Sequence, residues 1–124
     1  YEQLSSKKPS ECSADIRRRV EAARLFMAQR CARVDEQIGD GLHFAFAKNA
    51  DMTAPQIRRY CTMTADADKL LASAYERLQL SGRGHDRILR VARTIADMAG
   101  SDDIDANHIA EAIHFRTLDR QYWN

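Results

Sequence analysis

Arg83 has the setting in this 124-residue chain that most invites chemistry. It follows Ser81, a residue type that caps helix starts, and precedes Ile88, Ala92, Ile95, Ala96 and Ala99, an apolar series at helical spacing. Gly100 suits the left-handed turn that ends many helices, so the spacing predicts a helix over 82–99 with Arg83 in its first turn. A cation there faces the positive end of the helix dipole and is disfavoured by up to about 1 kcal/mol. A phosphate reverses the sign: free amides, dipole and guanidinium converge on one anion, and an arginine–phosphate bond contributes roughly 1.5–3 kcal/mol. The chemistry on offer is therefore anion binding by Arg83, with Ser81 beside it. The plainer alternative is a surface ion pair between Arg83 and Asp86.

A second candidate is a basic helix face. Ile16, Val20, Ala23, Met27, Cys31 and Val34 form an apolar stripe on a helix predicted to start at Ser13 or Asp15. Its other face gathers Arg17, Arg18, Arg19, Arg24, Arg30 and Arg33, with Glu21 the acid nearby. Such a face suits nucleic-acid phosphates, with Arg17, Arg18, Arg24 and Arg30 as the contacts and an affinity that falls with salt. It equally suits a solvated surface, or acidic partners on another domain or subunit. Lys and Arg number 19 against 18 Asp and Glu, a net charge of +1, so the chain as a whole is not a strongly basic nucleic-acid-binding domain.

Other chemistries find little support. Cys12, Cys31 and Cys61 are widely spaced and form no Cys-x-x-Cys pair, and they do not alternate regularly with His43, His85, His108 or His114, so neither a zinc site nor a disulfide framework is expected. His108 and His114 are too far apart in sequence to share a helix face. Asp102, Asp103 and Asp105 precede a helix without the glycine turn and closing glutamate of a calcium loop, and capping explains them better. The Gly-x-x-x-x-Gly-Lys-Ser/Thr phosphate loop is missing from these residues, so nucleotide hydrolysis by this chain alone is not expected. Phe115, Tyr122 and Trp123 beside Arg116 and Arg120 suggest a stapled tail or an interdomain contact more than base stacking.

The elements that must position these residues are helical. Thr53 caps a short helix with Pro55 in its first turn, ending at about Tyr60 or Cys61. Thr64 opens the next, with Asp66 and Asp68 near its start and Leu70, Leu71, Ala74, Leu78 and Tyr75 on its buried face. The last starts at Asp105 and turns Ile109, Ala112 and Ile113 inward. Residues 39–49, where Leu42, Phe44 and Phe46 alternate with smaller or polar residues, read as an extended or irregular connection. The result is an all-α, compact bundle of four main helices and one short one. Residues 1–12 read as a linker from a missing N-terminal core and 13–124 as the domain. No secretory signal or apolar run of the roughly 20 residues needed for a membrane span is present, which fits a cytoplasmic protein.

The run Ser81-Gly82-Arg83-Gly84-His85-Asp86-Arg87-Ile88-Leu89-Arg90-Val91-Ala92-Arg93-Thr94-Ile95-Ala96-Asp97 resembles the C-terminal domain of magnesium-chelatase-like AAA+ ATPases of the ComM/YifB type. These carry a similar Ser-Ala-Arg-Ala-Tyr-Asp-Arg-Ile-Leu-Lys-Val-Ala-Arg-Thr-Ile-Ala-Asp run. Leu4-Ser5-Ser6, Ser13 to Arg17 and Val20 to Arg24 are similar to the family's entry helix, Gln56 to Cys61 to its middle segment, and His108 to Ile113 with Leu118-Asp119-Arg120 to its close. The resemblance covers nearly the whole chain. It implies an AAA+ helical lid in which Arg83 is the sensor 2 arginine that contacts ATP phosphate. It further implies a parent ATPase that uses ATP and magnesium, with neither bound by the isolated fragment. The implied partners are the N-terminal ATPase core of the same protein, further copies in a ring, commonly a hexamer, and DNA in branch migration during recombination and natural transformation, with no membrane. Gly82, Gly84 and His85 depart from the family run, and a glycine inside a helix costs about 1 kcal/mol relative to alanine. Arg87, Arg90 and Arg93 are expected at subunit or core contacts. The rival reading is a freestanding nucleic-acid-binding or adaptor module acting through the Arg17–Arg33 face; a lid serving metal insertion into a porphyrin is a weaker third.

Overall fold

The computed structural model describes the backbone of residues 2–42 and 48–123 and the side chains of residues 13–42 and 48–116. Five α-helices are formed by the described residues: α1 Glu2–Ile38, α2 Ala54–Tyr60, α3 Ala65–Arg77, α4 Gly82–Met98 and α5 Ala106–Trp123, with a 3-10 turn at Asn49–Asp51. The fold is all-α.

The helix starts follow local cap chemistry. Ser81 Oγ accepts the Gly84 amide hydrogen at 3.1 Å and Thr64 Oγ1 that of Ala67 at 3.2 Å. Thr53 and Gln56 form a capping box, with Gln56 Oε1 accepting from the Thr53 amide at 2.8 Å. At α5 the box uses histidine: His108 N–H donates to Asp105 Oδ1 at 3.1 Å, and the Asp105 amide donates to His108 Nδ1 at 3.0 Å. α1 is different, because it runs through Ser13 and Asp15, where the sequence places its start. Both are competent caps, but each can also sit inside a helix at a cost of well under about 1 kcal/mol, and Glu11 and Ala14 around them favour helix.

α4 lies at the centre and packs on α1, α2 and α5, while α3 packs on α5. Ile57, Tyr60, Leu71, Ile88, Leu89, Ala92, Ala96, Ile104 and Ile109 form the core. Three apolar expectations are corrected, the first being Ala99, which is exposed as the C-cap of α4. Ile16 and Val20 are 46% and 37% exposed, because α1 reaches the core only from about Ala23 onward. Tyr75 is 43% exposed on the flank of the Ala67, Leu71, Ala74 face, and its ring meets His85 edge-on at 5.8 Å. The 43–47 segment and the side chains of Tyr122 and Trp123 lie outside the described residues, as do the side chains of residues 1–12 read as a linker, Cys12 among them.

Two turns reverse the chain around α4. Gln79 takes a φ of 51° after α3, with Leu80 N–H bonded to Tyr75 O, and Gly100 takes a φ of 69° after α4, with Ser101 N–H bonded to Ala96 O. Among the described residues a parallel bridge pairs Met63 with Ile104, where Ile104 N–H donates to Thr62 O at 2.9 Å and Thr64 N–H to Ile104 O at 3.0 Å. This lacing joins the starts of α3 and α5.

Candidate functional site

The cap that starts α4 at Ser81 sets Arg83 in the first turn, exposed to solvent. That turn contains no acidic residue. Asp86 lies with its carboxylate 3.5 Å from His85 Nδ1, and Arg83 has no ion pair with it. Ser81 lines the same groove as Arg83; its Oγ accepts the Gly84 amide hydrogen, which holds the turn that presents Arg83, and its hydroxyl hydrogen is left as a donor.

The groove is open and has a volume of about 1250 Å³. Arg19 from α1, Arg83, Arg87 and Arg90 from α4 and Arg116 from α5 line it, with Glu111 as the carboxylate. Val91, Ile95, Met98 and Phe115 supply an apolar floor. Arg90 is half-buried and donates to Met52 O at 3.2 Å. The chemistry this arrangement offers is the binding of a polyanion beside an apolar surface.

The basic face of α1 is smaller than its sequence predicts. Arg17, Arg18 and Arg24 are exposed, and Arg18 lies 3.8 Å from Asp15 in a solvated pair of little energetic weight. Arg30 is not on that face: it is 2% exposed, and its Nε donates to Asp97 Oδ1 at 3.0 Å and its Nη1 to Tyr60 O at 2.9 Å. Its place on α1 adjoins Met27 and Val34, and a carboxylate on α4 compensates the charge there. Arg33 is ion-paired with Asp102.

Arg93, expected at a subunit or core contact, is instead fully buried within the bundle. Its Nε donates to Asp97 Oδ1 at 3.1 Å and its Nη1 to Asp102 O at 2.7 Å, with Nη2 bonded to Ser101 O. Asn49 Nδ2 adds a bond to Asp97 Oδ2 at 2.8 Å. One carboxylate thus faces two buried guanidinium groups. Burial, and then the neighbouring Arg30, push the Arg93 guanidinium below its ordinary pKa, against the pull of Asp97. A second lock joins α1 to α2: Arg59 Nε donates to Asp35 Oδ1 and Nη1 to Asp40 Oδ2, each at 2.8 Å, and Tyr60 OH donates to Asp35 Oδ1 at 2.7 Å. The Arg59 hydrogen bond holds the Asp40 carboxyl well below the usual carboxylate range. Burial raises the thiols of Cys31 and Cys61, the latter to about 12.

Sequence reasoning missed this ionic core. Its signal was present, since Arg93 and Asp97 are four apart on the same helix face as Leu89 and Ala96, where a charged pair is out of place unless it is buried together.

A family model described as magnesium chelatase, subunit ChlI C-terminal, matches residues 10–116. The chain is similar to the uncharacterized protein YifB of Escherichia coli, 35% identical over 112 residues that make up 90% of this chain and 19% of that protein. It is also similar to competence protein ComM of Haemophilus influenzae, 32% identical over 110 residues, 89% of this chain and 19% of that protein. The chain spans about a fifth of the length of these curated relatives. No solved structure matches it.

Proposed function

Because this chain belongs to the family of magnesium chelatase subunit ChlI C-terminal domains, with proteins of the YifB and ComM type among its relatives, we propose that it is the helical lid of an AAA+ ATPase in which Arg83 binds nucleotide phosphate. One observation carries the reading: Arg83 stands exposed in the acid-free first turn of α4 and opens on an arginine-lined groove. The amides of Gly82 and Arg83 add uncommitted donors there, because the first residues of a helix lack intrahelical acceptors. Arg83 therefore meets an anion together with a favourable dipole, and the attraction grows with phosphate charge. ATP with magnesium is the ligand of the parent protein in this reading; this chain supplies guanidinium groups, and the magnesium ligands belong to the ATPase core.

The same reading makes Ile16, Val20 and the outer face of α1 the surface for the core or for a neighbouring subunit of a ring. The parent would be a cytoplasmic motor acting on DNA in recombination, in keeping with the name competence protein borne by one relative. The adaptor reading loses Arg30, which is buried against Asp97, whereas Arg33 is only paired with Asp102 at the surface. If it held, Arg17, Arg18 and Arg24 would bind DNA with a steep salt dependence in the isolated chain.

The test is steady-state ATP hydrolysis by the parent protein with Arg83→Ala, and with Arg18→Ala as the control on α1. Arg83→Ala is expected to lower turnover by about tenfold or more, equivalent to about 1.4 kcal/mol, while Arg18→Ala leaves the basal rate unchanged. Unaltered hydrolysis and ATP affinity in Arg83→Ala would overturn the assignment.

A further inference from the structure

Arg116, on α5, is a second cation at the head of α4. Its Nη2 lies 3.4 Å from the point a Cβ on Gly84 would occupy, and Ser81 Oγ lies 3.5 Å from that same point. The guanidinium therefore rests against the first α4 turn, at ordinary van der Waals distance from where a Gly84 side chain would begin.

Arg116 is half-buried, and in this it can be compared with the other arginines withdrawn from solvent. Arg30 and Arg93 share Asp97, Arg59 bonds Asp35 and Asp40, and Arg90 bonds the Met52 carbonyl. Arg116 has no such acceptor among the described residues, and Glu111, the groove's carboxylate, makes no ion pair with it there. A partly desolvated guanidinium without an acceptor is unfavourable, and more so at the positive end of a helix whose groove Arg83 also lines. One multiply charged anion lying between the two arginines would satisfy both.

We propose that Arg116 is a second phosphate-binding residue, closing with Arg83 on the polyphosphate of a nucleoside triphosphate. The proposal rests on the reading of Arg83 given above. The two guanidinium groups come from different helices, α4 and α5, so they can grip different oxygens of one chain of phosphates. A nucleoside diphosphate offers less charge to share between them. Arg116 thus contributes preference for triphosphate over diphosphate.

The experiment is equilibrium binding of fluorescent N-methylanthraniloyl ATP and ADP to the parent protein carrying Arg83→Ala, Arg116→Ala or Arg116→Lys, with thermal melting to show that each variant folds. Arg116→Ala is expected to weaken the triphosphate by about tenfold, as for loss of one charge-assisted bond, and the diphosphate by less. Arg116→Lys, which keeps the charge, should recover part of the loss. If Arg83→Ala weakens the triphosphate and Arg116→Ala stays within twofold of the unmodified protein, the inference about Arg116 fails and the reading of Arg83 stands. If neither variant weakens binding, both fail. Equal losses for ATP and ADP in Arg116→Ala would reveal a structural role only and would also overturn the proposal.

Discussion

Replacing Asp97 by asparagine should destabilise the bundle more than any surface change. The carboxylate accepts from Arg30 Nε at 3.0 Å and Nη2 at 3.3 Å, from Arg93 Nε at 3.1 Å and from Asn49 Nδ2 at 2.8 Å. Asparagine keeps the size but turns one acceptor into a donor and removes the only negative charge that touches both guanidinium groups in this cluster. The carbonyls of Tyr60, Ser101 and Asp102 remain as acceptors, so the arginines keep part of their hydrogen bonding while losing charge compensation. Breaking a buried ion pair in this one-sided way costs about 3–5 kcal/mol. A domain of this size has a total stability of about 5–15 kcal/mol, so the change consumes a large part of it. With a urea dependence of roughly 2 kcal/mol per molar, the unfolding midpoint measured by far-ultraviolet circular dichroism should fall by about 1.5 M or more. Arg30→Met should cost less, because it leaves Arg93 paired with Asp97, and the double variant should show a coupling above about 1 kcal/mol. A midpoint for Asp97→Asn within about 0.3 M of the unmodified chain would refute the claim that this carboxylate holds the ionic core together.

Gln79, at a φ of 51°, occupies the left-handed region that favours glycine, so Gln79→Gly should raise the urea midpoint by an amount equal to several tenths of a kcal/mol up to about 1; a loss of stability would count against strain at this turn. Asp40, whose pKa is lowered from 3.8 by Arg59, stabilises the fold above that value, and the contribution is lost as pH falls through 4 toward the depressed folded-state pKa. Asp40→Asn should therefore flatten the acid limb of a stability titration below about pH 4. Cys61, 8% exposed and with its thiol raised to about 12, should resist iodoacetamide at pH 8.5 in the folded chain and react in urea, as read by peptide mass spectrometry. Rapid alkylation of native Cys61 would show that the core opens on the labelling timescale.

Helix starts at Ser81, Thr53, Thr64 and Asp105 were legible because each cap is decided within a few residues by its own side chain. Arg83 was legible as an exposed first-turn cation for the same reason. The start of α1 was not, since Ser13 and Asp15 prefer a cap yet are tolerated inside a helix, so their presence alone does not fix a start. Arg30 was misplaced because its charge suggested solvent, whereas its burial depends on Asp97, 67 residues away in sequence. Arg116 stood out in the sequence only as a neighbour of the tail aromatics, with nothing to link it to α4. Its position over Gly84 follows from the packing of α5 on α4, a distant contact that a single sequence does not reveal.

The lacing of Met63 to Ile104 fixes one end of the bundle. It closes the end at which α3 and α5 begin, whereas Arg83 stands at the opposite end of α4, a rod of 17 residues and so about 25 Å long. A tilt of about 10° at the laced end would sweep the Arg83 end through about 4 Å, enough to convert a hydrogen bond into no contact. Because α4 is packed on α1, α2 and α5, such a tilt would have to carry the bundle as one body, leaving the ionic core intact while the guanidinium at the far end gains or loses its contact.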